Sequence, residues 1–459
     1  MKNSEYSTHQ GLWIKLSCTL LSLLLLALIL LVWMGGKDRT EKQGQSQLKN
    51  TQNSTQPQPS PSPSLTAAAS PDPNSSEGAR HYFALQESPE DASRIAQYFG
   101  PLPSVQPGAQ KAPHVPSRAI YIAQADNLEN DLALIKDTEV NAVVLDAKES
   151  YGLTYQSRVP LAQELGASVG QLDIPAIVRR CHENQVRVIA RMVCFKDEIL
   201  AAKRPDWLIQ DREGRVLQFP LEANHSFVSP YKKEAWDYLI AIARELKDFG
   251  VDEIQFDYVR FPSGEAAGDS EPYFGEAEQT PERYQAINRF LQTASLELEW
   301  NSGISLSADI FAISMTSDID GKSIGQFWEK VGLTGLNALC PMIYPSHYSN
   351  ASNGTMGNGE GMELGGRLFT APDMEAYGVI EAVMRESAPK NAQEGFAQLR
   401  PYLQAFTASY LPEGYYQHYG AQQIREQIRA LAEHGCKEWV LWGDSSQLTK
   451  DSLVAEAGN

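Results

Sequence analysis

Five cysteines in 459 residues, none in a CxxC pair, are too few for a disulfide framework and give structural zinc no ligand spacing. The eight histidines form no HExxH or HxH pattern, which removes the usual catalytic zinc motif. Positive charge is also short, with 39 Lys+Arg against 57 Asp+Glu and a net charge of −18. Such a chain repels a phosphate backbone, so nucleic acid is excluded as a partner. The deficit falls wholly after residue 115, and acidic polymers are poor substrate candidates for that part. Hydrophobic residues at 42% and charged residues at 21% nevertheless match a folded protein.

What is present divides the chain into three. Residues 1–36 hold an uncharged apolar run, Leu16 to Met34, bracketed by Lys15 and Lys37. Nineteen such residues roughly span a ~30 Å hydrocarbon core. No A-x-A site follows, so an uncleaved transmembrane anchor in the lipid bilayer is expected rather than a signal peptide. Residues 37–115 read as a linker. Gln, Ser, Pro, Thr, Asn and Ala fill 43–76, a composition that cannot bury a core. Within the linker, Ser88-Pro89-Glu90-Asp91 and Gly100 carry the start and stop signals of one short helix, either packed on the main domain or isolated. A tether of this kind suits a domain beyond the membrane, in the periplasm or at the cell surface.

Residues 116–459 change pattern. Eight short apolar runs occur at Ala119–Ala123, Ala142–Leu145, Val186–Phe195, Glu253–Phe261, Ile304–Ala312, Ala338–Tyr344, Tyr402–Phe406 and Trp439–Trp442. They are continuous rather than alternating, and amphipathic helical segments separate them, as a sheet buried on both faces requires. Eight units predict an α/β fold, a (β/α)8 TIM barrel with long βα loops; a doubly wound sheet is the alternative. The first run ends Tyr121-Ile122-Ala123-Gln124, without a Gly-rich phosphate loop, so dinucleotide binding lacks support.

In a barrel, chemistry belongs at the C-terminal ends of the strands. Asp257 stands there on the fourth run and Asp309 on the fifth, each inside apolar sequence. A buried carboxylate needs a partner, and Arg191 and Arg260 are the candidates for Asp257. Two carboxylates on adjacent strand ends are what glycoside hydrolysis requires, one as nucleophile or base and one as acid. Asp146 and Lys148 on the second run alternate onto one face and are expected to pair with each other, or to bind sugar hydroxyls. Tyr344, His347 and Trp442 close runs six and eight and suit a polar ring-shaped ligand. Ser-His-Asp hydrolysis has no such arrangement, and no metal or organic cofactor is implied.

The stretch Gly250–Pro262, with Ser307–Phe311, Pro341–Tyr348 and Trp439–Trp442, resembles a bacterial family of glycosyl hydrolase domains, a domain of unknown function similar to α-amylase-type barrels. The resemblance covers roughly 118–445 and implies Asp257 as nucleophile and Asp309 as acid/base. Three positions depart from the amylase pattern. Gln255 stands two residues before the nucleophile where that clan has Arg, Asp309 replaces Glu, and strand seven offers only Gln404 in place of a third carboxylate. The combined expectation is a membrane-tethered hydrolase acting on a poly- or oligosaccharide. A non-catalytic glycan-binding scaffold is the second reading.

Overall fold

A computed structural model describes residues 82–83, 86–122, 125–268, 270–348 and 361–455. The Leu16–Met34 segment lies outside them, as does most of the expected linker. Among the described residues no helix is long and apolar enough to cross a membrane.

Eight strands form a closed parallel barrel. They are β1 (Arg118–Ile122), β2 (Ala142–Glu149), β3 (Arg187–Val193), β4 (Glu253–Asp257), β5 (Ser305–Phe311), β6 (Ala338–Ile343), β7 (Tyr402–Gln404) and β8 (Trp439–Trp442). Each pairs with the next, and β1 pairs with both β2 and β8, so no edge remains. All eight expected runs are strands, and the doubly wound alternative is not what forms.

The continuous apolar runs have a simple cause. On β4, Ile254 and Phe256 pack outward into the large core under the helices. Glu253, Gln255 and Asp257 alternate to the barrel interior, which is otherwise filled by Ala119, Ala142, Val144, Ile189, Cys340, Tyr344, Tyr402 and Val440. Helices cover the outside. Asp173 caps the helix Ile174–Glu183 by accepting from the Ala176 N–H at 3.0 Å. The long helix after β6, Ala376–Asn391, was not legible in sequence because Gly378 and Pro389 interrupt its pattern.

The short helix of the expected linker is Pro89–Phe99, capped by Ser88 and ended by Gly100 at φ +78°. It packs on the barrel: Phe99 lies 5.0 Å from the Trp236 ring and 5.9 Å from that of Tyr231. The chain then runs under the N-terminal face, where Ala112 N–H donates to Glu299 O and His114 meets Glu438 at 2.6 Å. That face is sealed by charge. Arg400, fully buried, spans Glu253 at 2.5 Å and Glu438 at 3.0 Å.

Candidate active site

At the opposite, C-terminal face the barrel collects four carboxylates around one guanidinium. Arg191 on β3 donates through Nε (2.9 Å) and Nη2 (2.5 Å) to Asp257 Oδ2 on β4. Its Nη1 donates to Asp146 Oδ1 at 2.5 Å and to Glu149 Oε1 at 3.0 Å, both on β2. Asp309 on β5 approaches Nε at 3.9 Å. Strand register explains the assembly. Asp146 is the Cα partner of Arg191, which is that of Gln255, and β4 and β5 are aligned so that Asp257 and Asp309 reach one level. Between the two candidate partners of Asp257, the structure selects Arg191.

The electrostatics follow from burial and like charge. Burial first, and then the charge of Asp257, push Asp309 well above the usual carboxylate range against the opposing pull of Arg191. Its Oδ1 is buried without a hydrogen-bond donor to stabilise negative charge there, which adds to the preference for the neutral carboxyl. Glu149 is pushed up to about 8 by burial and then by Asp146. Both groups therefore favour the protonated form while Arg191 neutralises part of the remaining charge.

Around this cluster stand aromatic groups. The Tyr121 hydroxyl donates to Asp146 Oδ2, and its ring lies 4.1 Å from Trp442. Trp442 in turn sits 5.7 Å from the Arg191 guanidinium and stays partly open. Tyr344 meets His347 edge-on at 4.8 Å, and desolvation pushes His347 down to about 4, leaving it neutral. The residue after Asp257 is also strained: Tyr258 has φ +48°, and its N–H donates back to Asp257 Oδ1 at 2.6 Å. Left-handed backbone at an aromatic residue is costly and concentrates at functional sites.

Two expected members stand elsewhere. Lys148 does not pair with Asp146. A register shift between Asp146 and Lys148 makes Ala147 an extra, bulged residue, which reverses the alternation. Lys148 is thereby sent outward to Asp197 at 2.8 Å, with both side chains 1% exposed, and Glu149 turns inward. Arg260 is likewise sealed, donating to Glu222 at 2.8 Å and stacking 4.3 Å from the Phe311 ring. Sequence reasoning missed Glu149 because a bulge has no signature in the residues themselves. It also missed Asp373, buried beside β7 and accepting from Gln404 Nε2 at 2.8 Å, so that a carboxyl does stand next to the strand that lacks one. A GxSxG string, Gly321-Lys322-Ser323-Ile324-Gly325, forms the end and C-cap of the helix Asp318–Ile324 rather than a strand-to-helix elbow.

The family model described as "Putative glycosyl hydrolase domain" matches residues 117–448, the whole barrel. The chain belongs to this family. A hypothetical protein from Ruminiclostridium thermocellum ATCC 27405 is 33% identical over 41% of this chain and 96% of its own, with a TM-score of 0.36. The PgaB (BpsB) glycoside hydrolase domain from Bordetella bronchiseptica is 13% identical over 75% of this chain and all of its own, with a TM-score of 0.50. At that identity the likeness is one of fold. No curated protein matches the chain. Arg191 is the Cα partner of Gln255, so a guanidinium stands on the strand next to the position that departs from the amylase pattern. Gln255 instead accepts from the Tyr402 hydroxyl at 2.6 Å, inside the barrel.

Proposed function

We propose that this member of the family hydrolyses glycosidic bonds in a poly- or oligosaccharide outside the cytoplasm, tethered to the membrane through Leu16–Met34. The observation that carries the chemistry is the placing of an Arg191-bound carboxylate, Asp257, beside Asp309, which burial pushes toward its neutral form, at the same level of the neighbouring strand. A carboxylate held by a guanidinium beside a carboxyl pushed toward its neutral form is the arrangement that acid-assisted cleavage uses. Asp257 acts as nucleophile or base. The neutral carboxyl set supplies the acid, Asp309 being the member expected from the resemblance. Trp442 and Tyr121 offer ring faces, while His347 and Tyr344 offer neutral polar contacts suited to sugar hydroxyls.

The test is reducing-sugar release from a panel of neutral and amino polysaccharides by wild-type protein and by Asp257→Asn. Release by the wild type alone supports hydrolysis. The sealing of Asp309 and the double hold of Arg191 on Asp257 favour a second reading, a non-catalytic glycan-binding barrel. Glycan binding retained in both variants, with release by neither, would establish it.

A further inference from the structure

The cluster holds two carboxyls that burial pushes toward their neutral form where glycosidic cleavage uses one, and they differ in access. Asp309 has 2% of its side chain exposed, at the level of Asp257 on the neighbouring strand. Glu149 has 20% of its side chain open, on the last residue of β2 where the βα loop begins. The bulge at Ala147 puts it there, since without that extra residue Glu149 would point outward as Lys148 now does. A substrate entering from the C-terminal face meets Glu149 before it can meet Asp309.

The geometry points to Glu149 as the proton donor to the departing glycosidic oxygen, with Asp309 as a positioning residue beside Asp257 and Arg191. This rests on the glycosidase reading and deepens it. In the step, the bond between the anomeric carbon and the bridging oxygen breaks, its electron pair leaves with that oxygen, and the oxygen takes the Glu149 proton. Water delivers hydroxyl to the anomeric carbon, and its remaining proton restores Glu149, directly or by way of Asp257. Burial and Asp146 hold Glu149 at about 8, so it carries a proton at neutral pH and can give it up. The groups that face it are Asp146 on its own strand, Tyr121 on β1, Arg191 on β3 and Asp257 on β4.

The experiment compares wild type, Glu149→Gln and Asp309→Asn on methyl and 2,4-dinitrophenyl glycosides of glucose, galactose and N-acetylglucosamine. A dinitrophenolate leaves without protonation, whereas methoxide needs it. Glu149→Gln is expected to lose about 10²- to 10⁴-fold in kcat/KM on the methyl glycoside, little on the dinitrophenyl one, and the basic limb of the pH profile near 8. Asp309→Asn is expected to slow both substrates alike and keep that limb. Glu149→Gln slowing both substrates equally, or keeping the limb, overturns the inference while leaving hydrolysis intact. No hydrolysis of any probe by the wild type overturns the glycosidase reading and this inference with it.

Discussion

Arg191 and Asp257 face each other across β3 and β4, with Nε at 2.9 Å and Nη2 at 2.5 Å from the same carboxylate oxygen. Among the described residues, Oδ1 of Asp257 is bonded only to the neighbouring Tyr258 N–H. Asp257→Asn preserves shape, and Arg191 keeps Asp146 as a counter-charge and Glu149 as a hydrogen-bond acceptor. Hydrolysis should therefore fall to background while stability changes by less than about 1 kcal/mol. Urea unfolding measured beside the assay checks it, and a loss of several kcal/mol would make Asp257 a structural ion-pair member instead.

Removing the guanidinium has the opposite balance. Arg191→Met leaves Asp146, Glu149, Asp257 and Asp309 facing one another with no positive charge among them. A cost of about 3–5 kcal/mol is expected at neutral pH. The sign of its pH dependence is fixed. Without Arg191 the folded-state carboxyls hold protons to higher pH than in the unfolded chain, so the variant regains stability relative to wild type as pH falls. Thermal melts of both proteins between pH 4 and 8 should converge at the acid end. A gap that stays constant with pH would assign the loss to packing alone.

Lys148 and Asp197 form a sealed pair behind the strand, and Lys148 also donates to Val193 O at 2.7 Å. Lys148→Met strands a buried carboxylate and should cost about 3–5 kcal/mol. Adding Asp197→Asn, which keeps the side-chain oxygen capping the Leu200 N–H, should recover much of it. KM for any cleaved substrate should not move in the double variant. A raised KM with unchanged stability would return Lys148 to the sugar-binding set.

The barrel was legible because parallel strands buried on both faces must be continuously apolar, and the eight runs obeyed that rule. Asp257 and Asp309 stood out for the same reason, as charges where the pattern allows none. Partners were harder to see. Arg191 and Arg260 were equal candidates in sequence, and only register, which places Arg191 opposite Gln255, separates them. Glu149 and Lys148 changed sides through one bulged alanine, a backbone event without a residue signature. Glu253 and Arg400 are 147 residues apart, so their ion pair is visible only after the barrel closes. The stretch 101–115 looked like linker because its prolines forbid regular structure. Its hydrogen bonds go to the barrel floor instead.

That floor supplies the last prediction. Glu299 is fully buried where the helix Arg283–Ala294 widens into a π-type turn, Ser295–Trp300. It accepts from the Leu306 N–H at 3.2 Å, the Asn337 N–H at 3.0 Å and the Ser295 hydroxyl at 2.7 Å, with Lys111 at 3.6 Å. Burial outweighs these partners and pushes it up from its ordinary 4.5 to about 7. The folded chain thus binds more protons than the unfolded one between those values. The Glu299 contribution to stability is present in full below pH 4.5, is lost as pH rises toward 7 and is flat above. The total is on the order of 3 kcal/mol. Glu299→Gln removes the titration, so wild type minus variant stability should fall across that window. Glu149 and Asp373 slope the same way in both proteins and cancel in the difference. Denaturant unfolding at pH 5, 6, 7 and 8 measures it. A flat difference would mean that Lys111 holds Glu299 ionised throughout, and that the strap under the barrel is locked by charge rather than by a buried proton.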